Sequence, residues 1–222
     1  MTMVNAYTGD DDSVDGRTRA LIARRERALG PAYRLFYQRP LEFVRGEGVF
    51  LYDRDGAAFL DAYNNVASVG HSHAHVVAAI AAQAATLNTH TRYLHEGAIA
   101  YAERLLEKLG QPIEHVMFTC TGSEANDLAL RIARAHTGGQ GVVVTQNAYH
   151  GVTQAVAELS PSLGQHVAIG KHVRVIAAPD SGANAGAKFA EAVRAAFADL
   201  KAANIRPAAL LVDTIFSSDG VL

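Results

Sequence analysis

From residue 112 onward, short apolar runs alternate with helical segments, and this rhythm constrains the fold more than any other feature. The runs are VMFT (116–119), VVVT (142–145), VRVIAA (173–178) and ALLVDTIF (209–216), with helical spacing over about 124–136 and 187–203. Runs that are continuously apolar suit strands covered on both faces. Strand, helix, strand in succession suits a parallel sheet. Upstream the rhythm differs. Helices are expected over about 17–29, 75–87 and 98–109, the last ending at Gly110, a natural C-terminal cap. Between Leu41 and Leu60, apolar runs are split by Gly46-Glu47-Gly48 and by Asp55-Gly56. Asp-Gly between apolar runs is a hairpin signal, so a small antiparallel meander is expected there. The fold class is therefore α/β: a meander with helices, then an incomplete parallel sheet with flanking helices.

The 222 residues allow one domain or two small ones. With 49% apolar residues the chain can bury a core, and a disordered chain is excluded. Twenty basic against twenty-two acidic residues give no excess that would ask for nucleic acid. The start is polar and acidic, with Asp10–Asp12 and Asp15 read as a solvated leader and no secretory signal expected. No apolar run is long enough to suggest a membrane span. One cysteine, Cys120, precludes an internal disulfide and fits a reducing, cytoplasmic setting. The chain stops just after a strand, where an α/β domain would still need a covering helix. It reads as the first part of a larger sheet.

The chemistry concentrates in VMFTCTGSEANDLALRIARAHTG. A strand, a tight turn at Thr121-Gly122-Ser123 and a helix would aim free backbone N–H groups and a helix dipole at one point. Gly122 admits close approach, the two hydroxyls add donors, and an anionic phosphate suits such a place. The alternative is that Ser123 merely caps the helix. A dinucleotide fingerprint is excluded, because this turn has one glycine of the three needed. Gly182–Lys188 fails as a P-loop on glycine spacing and on Phe189 where Ser or Thr would follow the lysine. In VVVTQNAYHG, a strand leads into a loop bearing Tyr149, His150 and Gly151, at the end where parallel sheets form ligand crevices. Tyr149 is either a stacking platform for a flat heteroaromatic ring or a packing residue. His71, His73 and His75 alternate and would share a face if extended, but no acidic or thiol ligand stands in sequence beside them and no metal is expected. The basic face through Arg24, Arg25 and Arg27 is read as solvated.

FVRGEGVFLYDRDGAAFLDAYNNVASVGHSHAHVVAAIAAQ (43–83), FTCTGSEANDLALRIAR (118–134) and AYHG (148–151), in this order and spacing, resemble the class III aminotransferases, pyridoxal-phosphate enzymes of the fold-type I group. The resemblance implies that Thr121, Gly122 and Ser123 hold the phosphate of pyridoxal 5'-phosphate. It implies that Tyr149 lies over the pyridine ring with His150 close by. LLVDTIFSSDG (210–220) resembles the family strand that carries a glutamate, with Asp213 in its place. Cys120 stands where the family usually has Asn. By the same resemblance, residues 1–110 are an N-terminal segment and part of a small domain, and 111–222 are the first half of the cofactor-binding large domain. The family's aspartate for the pyridine nitrogen and its cofactor-bearing lysine fall beyond this segment. None of Lys108, Lys171, Lys188 and Lys201 has the matching context, so the chain alone is expected to be inactive. Asn88, Arg92 and Tyr93 correspond to a region that approaches a partner subunit, which implies a homodimer. The implied activity is transfer of an amino group between an amine or amino acid and a keto acid. The chain also looks close to the family branch of phospho-lyases acting on phosphorylated amino alcohols. A non-catalytic anion-binding module is the third possibility.

Overall fold

A computed structural model describes residues 7–9, 14–63 and 66–221. Asp10–Asp12, Asn64, Asn65 and Leu222, which figured in the sequence reading, lie outside the described residues. The chain divides into two units, Thr2–Ala98 and Ile99–Leu222.

In the first unit, helix α1 spans Gly16–Leu29. It starts where the Asp15 carboxylate accepts hydrogen bonds from the amides of Arg17 and Thr18, satisfying two donors that the helix itself cannot. Strands β1 (Phe43–Glu47), β2 (Phe50–Asp53) and β3 (Ala58–Leu60) form the expected antiparallel meander. Glu47 pairs with Phe50, leaving Gly48-Val49 as the turn. The second turn is built by Asp53, whose carboxylate accepts from the amides of Asp55 and Ala57. Phe43 and Phe59 meet edge to face at 5.5 Å, and the Arg45 guanidinium lies 3.5 Å from the centre of the Tyr52 ring. Helix α2 covers Ala74–Thr86.

The segment before α2 is not the extended run that the alternating histidines suggested. His71 forms an isolated bridge with Gly48, Ser72 adopts φ 54° and the helix starts at Ala74, so the three side chains do not share one face. His71 instead pairs through Nε2 with Asp61 at 2.7 Å. Its side chain fills the space over Gly46, where a Cβ would come within 2.7 Å of the His71 Cβ and 2.8 Å of its ring Cγ. Helix α3, Glu96–Leu109, carries the chain into the second unit and ends where the Gly110 amide donates to the Leu106 carbonyl.

The second unit holds helix α4 (Gly122–Thr137), strand β4 (Gly141–Thr145), a single turn of helix α5 (Gln154–Ala157), strand β5 (Val173–Ile176), helix α6 (Ala185–Ala202) and strand β6 (Pro207–Leu210). The sheet is parallel in the order β5-β4-β6. β4 is central and buried along its whole length. Val142 and Val144 face a cluster with Leu130, Ala148, Val156, Leu159 and Val173. Val143 faces Ala196 and Leu200 of α6 on the other side. Coverage of both faces is why VVVT is continuous rather than alternating.

Two expected strands are corrected. Residues 116–119 are not a strand. Among the described residues no neighbour pairs with them, Met117 and Phe118 are exposed, and Phe118 stacks on Tyr101 instead. The last strand ends at Leu210 rather than near Phe216. Asp213 turns the chain, because its carboxylate accepts from the amides of Ile215 and Ser217 and offers the backbone an alternative to the ladder.

Candidate cofactor site

The start of α4 is built by a reciprocal cap. Thr121 Oγ1 accepts from the Glu124 amide at 3.1 Å, and Glu124 Oε2 accepts from the Cys120 amide at 3.0 Å. This resembles the capping box, in which a hydroxyl and a carboxylate three residues apart satisfy orphan donors in both directions. The cap is therefore Thr121, not Ser123. Its hydroxyl also lies 3.3 Å from Glu124 Oε2, to which it donates. The first intrahelical bond runs from the Ala125 amide to the Thr121 carbonyl. The amides of Gly122 and Ser123 precede it and project from the helix end.

Ser123 joins this helix end to the loop after β4. Its Oγ accepts from the Val152 amide at 3.1 Å, which leaves the hydroxyl hydrogen available to a second acceptor. The approach is close: a Cβ on Gly151 would stand 2.5 Å from Ser123 Oγ, and Gly151 has φ 131°, so only glycine is tolerated there. Asn126, one turn into α4, donates to the His150 carbonyl at 2.7 Å. Buried Ser160 accepts from the His150 amide at 3.0 Å and lies 3.2 Å from the Gly151 carbonyl. The loop backbone is thus fixed from two sides while the Tyr149 side chain remains 53% exposed.

His150 is 7% exposed, and its Nε2 is buried without a hydrogen-bond partner among the described residues. Burial pushes its pKa down, against smaller opposing effects from the Leu211 backbone and the carboxylates of Asp213 and Asp219. Asp213 is held below the usual carboxylate range, first by the Ser217 hydroxyl, then by the amides of Ile215 and Ser217, with a small contribution from His150. It therefore stays ionised near neutrality.

The structure thus brings Ser123 against the Tyr149–Gly151 loop and sets Asp213 within electrostatic reach of His150. Thr121 is committed to the cap; Gly122 and Ser123 supply amides at the helix end, and Ser123 also a hydroxyl. Two outward backbone donors, a free hydroxyl hydrogen and a helix dipole at one point fit a phosphate group. Glu124, Asn126 and Ser160 were not singled out from the sequence. Only Glu124 had a readable signal, the Thr-x-x-Glu spacing of a capping box. Asn126 and Ser160 act through backbone groups brought near by the fold, which no local pattern announces. Among the described residues no cluster of three or more metal-ligating side chains occurs, and no helix is long and apolar enough to cross a membrane.

The family model described as Aminotransferase class-III matches residues 36–222. An alanine–glyoxylate aminotransferase 2-like protein of Drosophila melanogaster is 46% identical over 63% of this chain and 28% of its own length. A phospholyase from Arthrobacter, solved in complex with phosphoethanolamine, is 44% identical with a TM-score of 0.84, over 91% of this chain and 50% of that one. A transaminase solved with PLP bound is 26% identical with a TM-score of 0.71, over 93% of this chain and 49% of that one. The chain spans half or less of the length of these relatives.

Proposed function

The chain belongs to the class-III aminotransferase family, whose cofactor is pyridoxal 5'-phosphate, and from that premise we propose that it forms the phosphate-holding and ring-stacking part of a phospho-lyase acting on a small phosphorylated amino alcohol. The observation that carries this reading is the gap in similarity: 44% identity to a phospholyase solved with phosphoethanolamine against 26% to a transaminase solved with PLP, at similar coverage.

When bound, the cofactor supplies an electron sink for negative charge at the substrate carbon that bears nitrogen. In this reading Ser123 Oγ donates to the cofactor phosphate beside the amides of Gly122 and Ser123. The positive end of α4 favours the dianion, and Thr121 fixes that helix end through its cap. Tyr149 presents an exposed ring as the stacking surface. His150, buried and neutral, backs the loop, and Asp213 contributes a permanent negative charge to the same neighbourhood. Proton transfer at the substrate carbon requires a base. The four lysines lie at the end of α3, in the turn before β5 and in α6 (two), and none is assigned that task. The whole protein acts as a homodimer in the cytoplasm under this proposal.

The reaction has a definite balance. A phosphorylated amino alcohol takes up one water and yields an aldehyde, ammonia and inorganic phosphate. The test is to incubate the whole protein, loaded with pyridoxal phosphate, with phosphoethanolamine in the absence of any keto acid. Release of phosphate and ammonia in equal amounts supports the proposal. The second reading, transamination, is favoured by the 46% identity to the Drosophila relative. It is the correct one if phosphate is not released and nitrogen moves only when a keto acid is added. Cofactor binding with neither reaction would favour the anion-binding module.

A further inference from the structure

Every tie on the loop after β4 described so far comes from α4 or from the segment around Ser160. A further tie comes from the segment after β6. Asp219 Oδ2 accepts from Thr145 Oγ1 at 2.5 Å, and Asp219 Oδ1 accepts from the Asn147 amide at 3.0 Å. One carboxylate thus spans the last residue of β4 and the turn that starts the loop. Thr145 is 2% exposed, so its hydroxyl has little access to water as an alternative partner.

Asp219 is itself presented by a fixed turn. Its amide donates to the Phe216 carbonyl at 2.9 Å, as does that of Gly220 at 3.0 Å, and Phe216 adopts φ 52°. The Phe216 ring packs edge-on to Phe189 of α6 at 5.8 Å. The carboxylate therefore rests on a support independent of α4 and of Ser160. Further along the loop, the Ala148 carbonyl accepts from the Ser162 amide and hydroxyl, and residues 150–152 are held by Ser160, Asn126 and Ser123. Asp219 and Ser162 fix the part of the loop before Tyr149, and Ser160, Asn126 and Ser123 fix the part after it. Tyr149 sits between these anchors.

We infer that Asp219 is a positioning residue that sets the height and angle of the Tyr149 loop, and with it the stacking surface offered to the cofactor ring. The inference rests on the cofactor reading above for its functional half; the mechanical half stands on the hydrogen bonds alone. The geometry asks for two acceptor atoms at carboxylate reach. Asparagine meets most of that demand: its Oδ1 can accept from the Asn147 amide, and its Nδ2 can donate to a rotated Thr145 hydroxyl. Alanine meets none of it.

The test compares Asp219→Ala, Asp219→Asn and Thr145→Val in the whole protein. Two quantities are read: hydrogen exchange of peptides covering 145–151 without cofactor, and the absorption and circular dichroism of bound pyridoxal phosphate. Asp219→Ala should speed exchange in 145–151 by about ten-fold or more, weaken cofactor binding by about ten-fold and move the bound-cofactor spectrum. Thr145→Val, which removes one arm, should fall between parent and Asp219→Ala. Asp219→Asn should restore exchange and spectrum to near the parent. Unchanged exchange in Asp219→Ala overturns the clamp. Failure of Asn to do better than Ala also overturns it, since charge rather than reach would then be at work. If exchange rises while the cofactor spectrum and affinity stay as in the parent, the link to the stacking surface is wrong. Failure of the cofactor reading is separately visible: Ser123→Ala and Tyr149→Ala would then leave cofactor binding untouched, whatever the exchange data show.

Discussion

The two units contain similar kinds of apolar residue but use them differently. In the second unit, Val142, Val143 and Val144 are fully buried between two clusters, and Leu200 closes one of them. In the first, α2 is apolar along most of its length yet buries no residue, with Val76, Val77 and Ile80 exposed. Its order is visible instead in hairpin hydrogen bonds, the Asp15 cap and a group of ion pairs about Arg54 with Asp15, Glu42 and Asp55. Apolar composition is thus a capacity for burial. A central strand realises it because neighbours cover both faces, whereas a three-stranded meander leaves much of its surface to be covered from elsewhere.

The sharpest way to break this comparison is paired truncation. Leu200→Ala, at 0% exposure, should cost about 2–5 kcal/mol, while Ile80→Ala, at 64% exposure, should stay within about 0.5 kcal/mol. Denaturant unfolding of both variants reads the difference, and equal losses would show that α2 is covered in solution. The next effect concerns binding. Ser123→Ala should raise the dissociation constant for pyridoxal phosphate in the whole protein about ten- to a hundred-fold, the worth of a hydrogen bond to a charged group. Stability should barely move, so a fall in melting temperature comparable to that of Leu200→Ala would assign Ser123 to the fold instead.

Much of this contrast was legible in the sequence. The continuous VVVT run announced a doubly covered strand, and Asp55-Gly56 announced a hairpin. VMFT carried the same apolar signal as VVVT but is not a strand, because a ladder needs a neighbour and a local pattern cannot report one. The loop that is proposed to meet the cofactor was singled out through Thr121, Ser123 and Tyr149, which sit in recognisable local motifs. Asn126, Ser160 and Asp219 escaped because each acts across 9 to 74 residues on a backbone or hydroxyl group. Asp213 was placed on a strand because the apolar run continues past it. Its own side chain, bonding ahead to Ile215 and Ser217, is what ends the ladder.

A smaller effect follows from protonation. His150 and His172 are both shifted below the ordinary histidine value of 6.5, chiefly by burial. In the interval below 6.5 the unfolded chain therefore binds more protons than the native one, so stability rises with pH there. The second unit should hold its full stability above about pH 6.5 and lose part of it as pH falls through that value. His150→Gln should flatten that slope, measurable as melting temperature against pH; an unchanged slope would exclude His150 as a contributor.

The smallest effect should come from the first unit's charges. The Asp15 carboxyl is held well below the usual range, first by the Thr18 hydroxyl and amide and then by Arg54. Such partly exposed pairs at the surface are weak and screened by salt. Arg54→Met should speed hydrogen exchange in 16–29 only slightly, and high salt should erase the difference from the parent. A salt-independent loss would mean that the Arg54 stem contributes by packing.

The strand order β5-β4-β6 has a consequence for synthesis on the ribosome. β4 emerges first, gains β5 on one side about thirty residues later, and gains β6 on the other only when 207–210 appear. At roughly 5–20 residues per second, the second edge of β4 stays open for about 3–12 s. Through that interval the three valines that become the centre of the sheet are an unpaired, strongly β-prone edge, the kind of surface that nascent chains shield with chaperones. Thr145 waits still longer for Asp219, so the loop that carries Tyr149 takes its final shape among the last events in the making of this part of the chain.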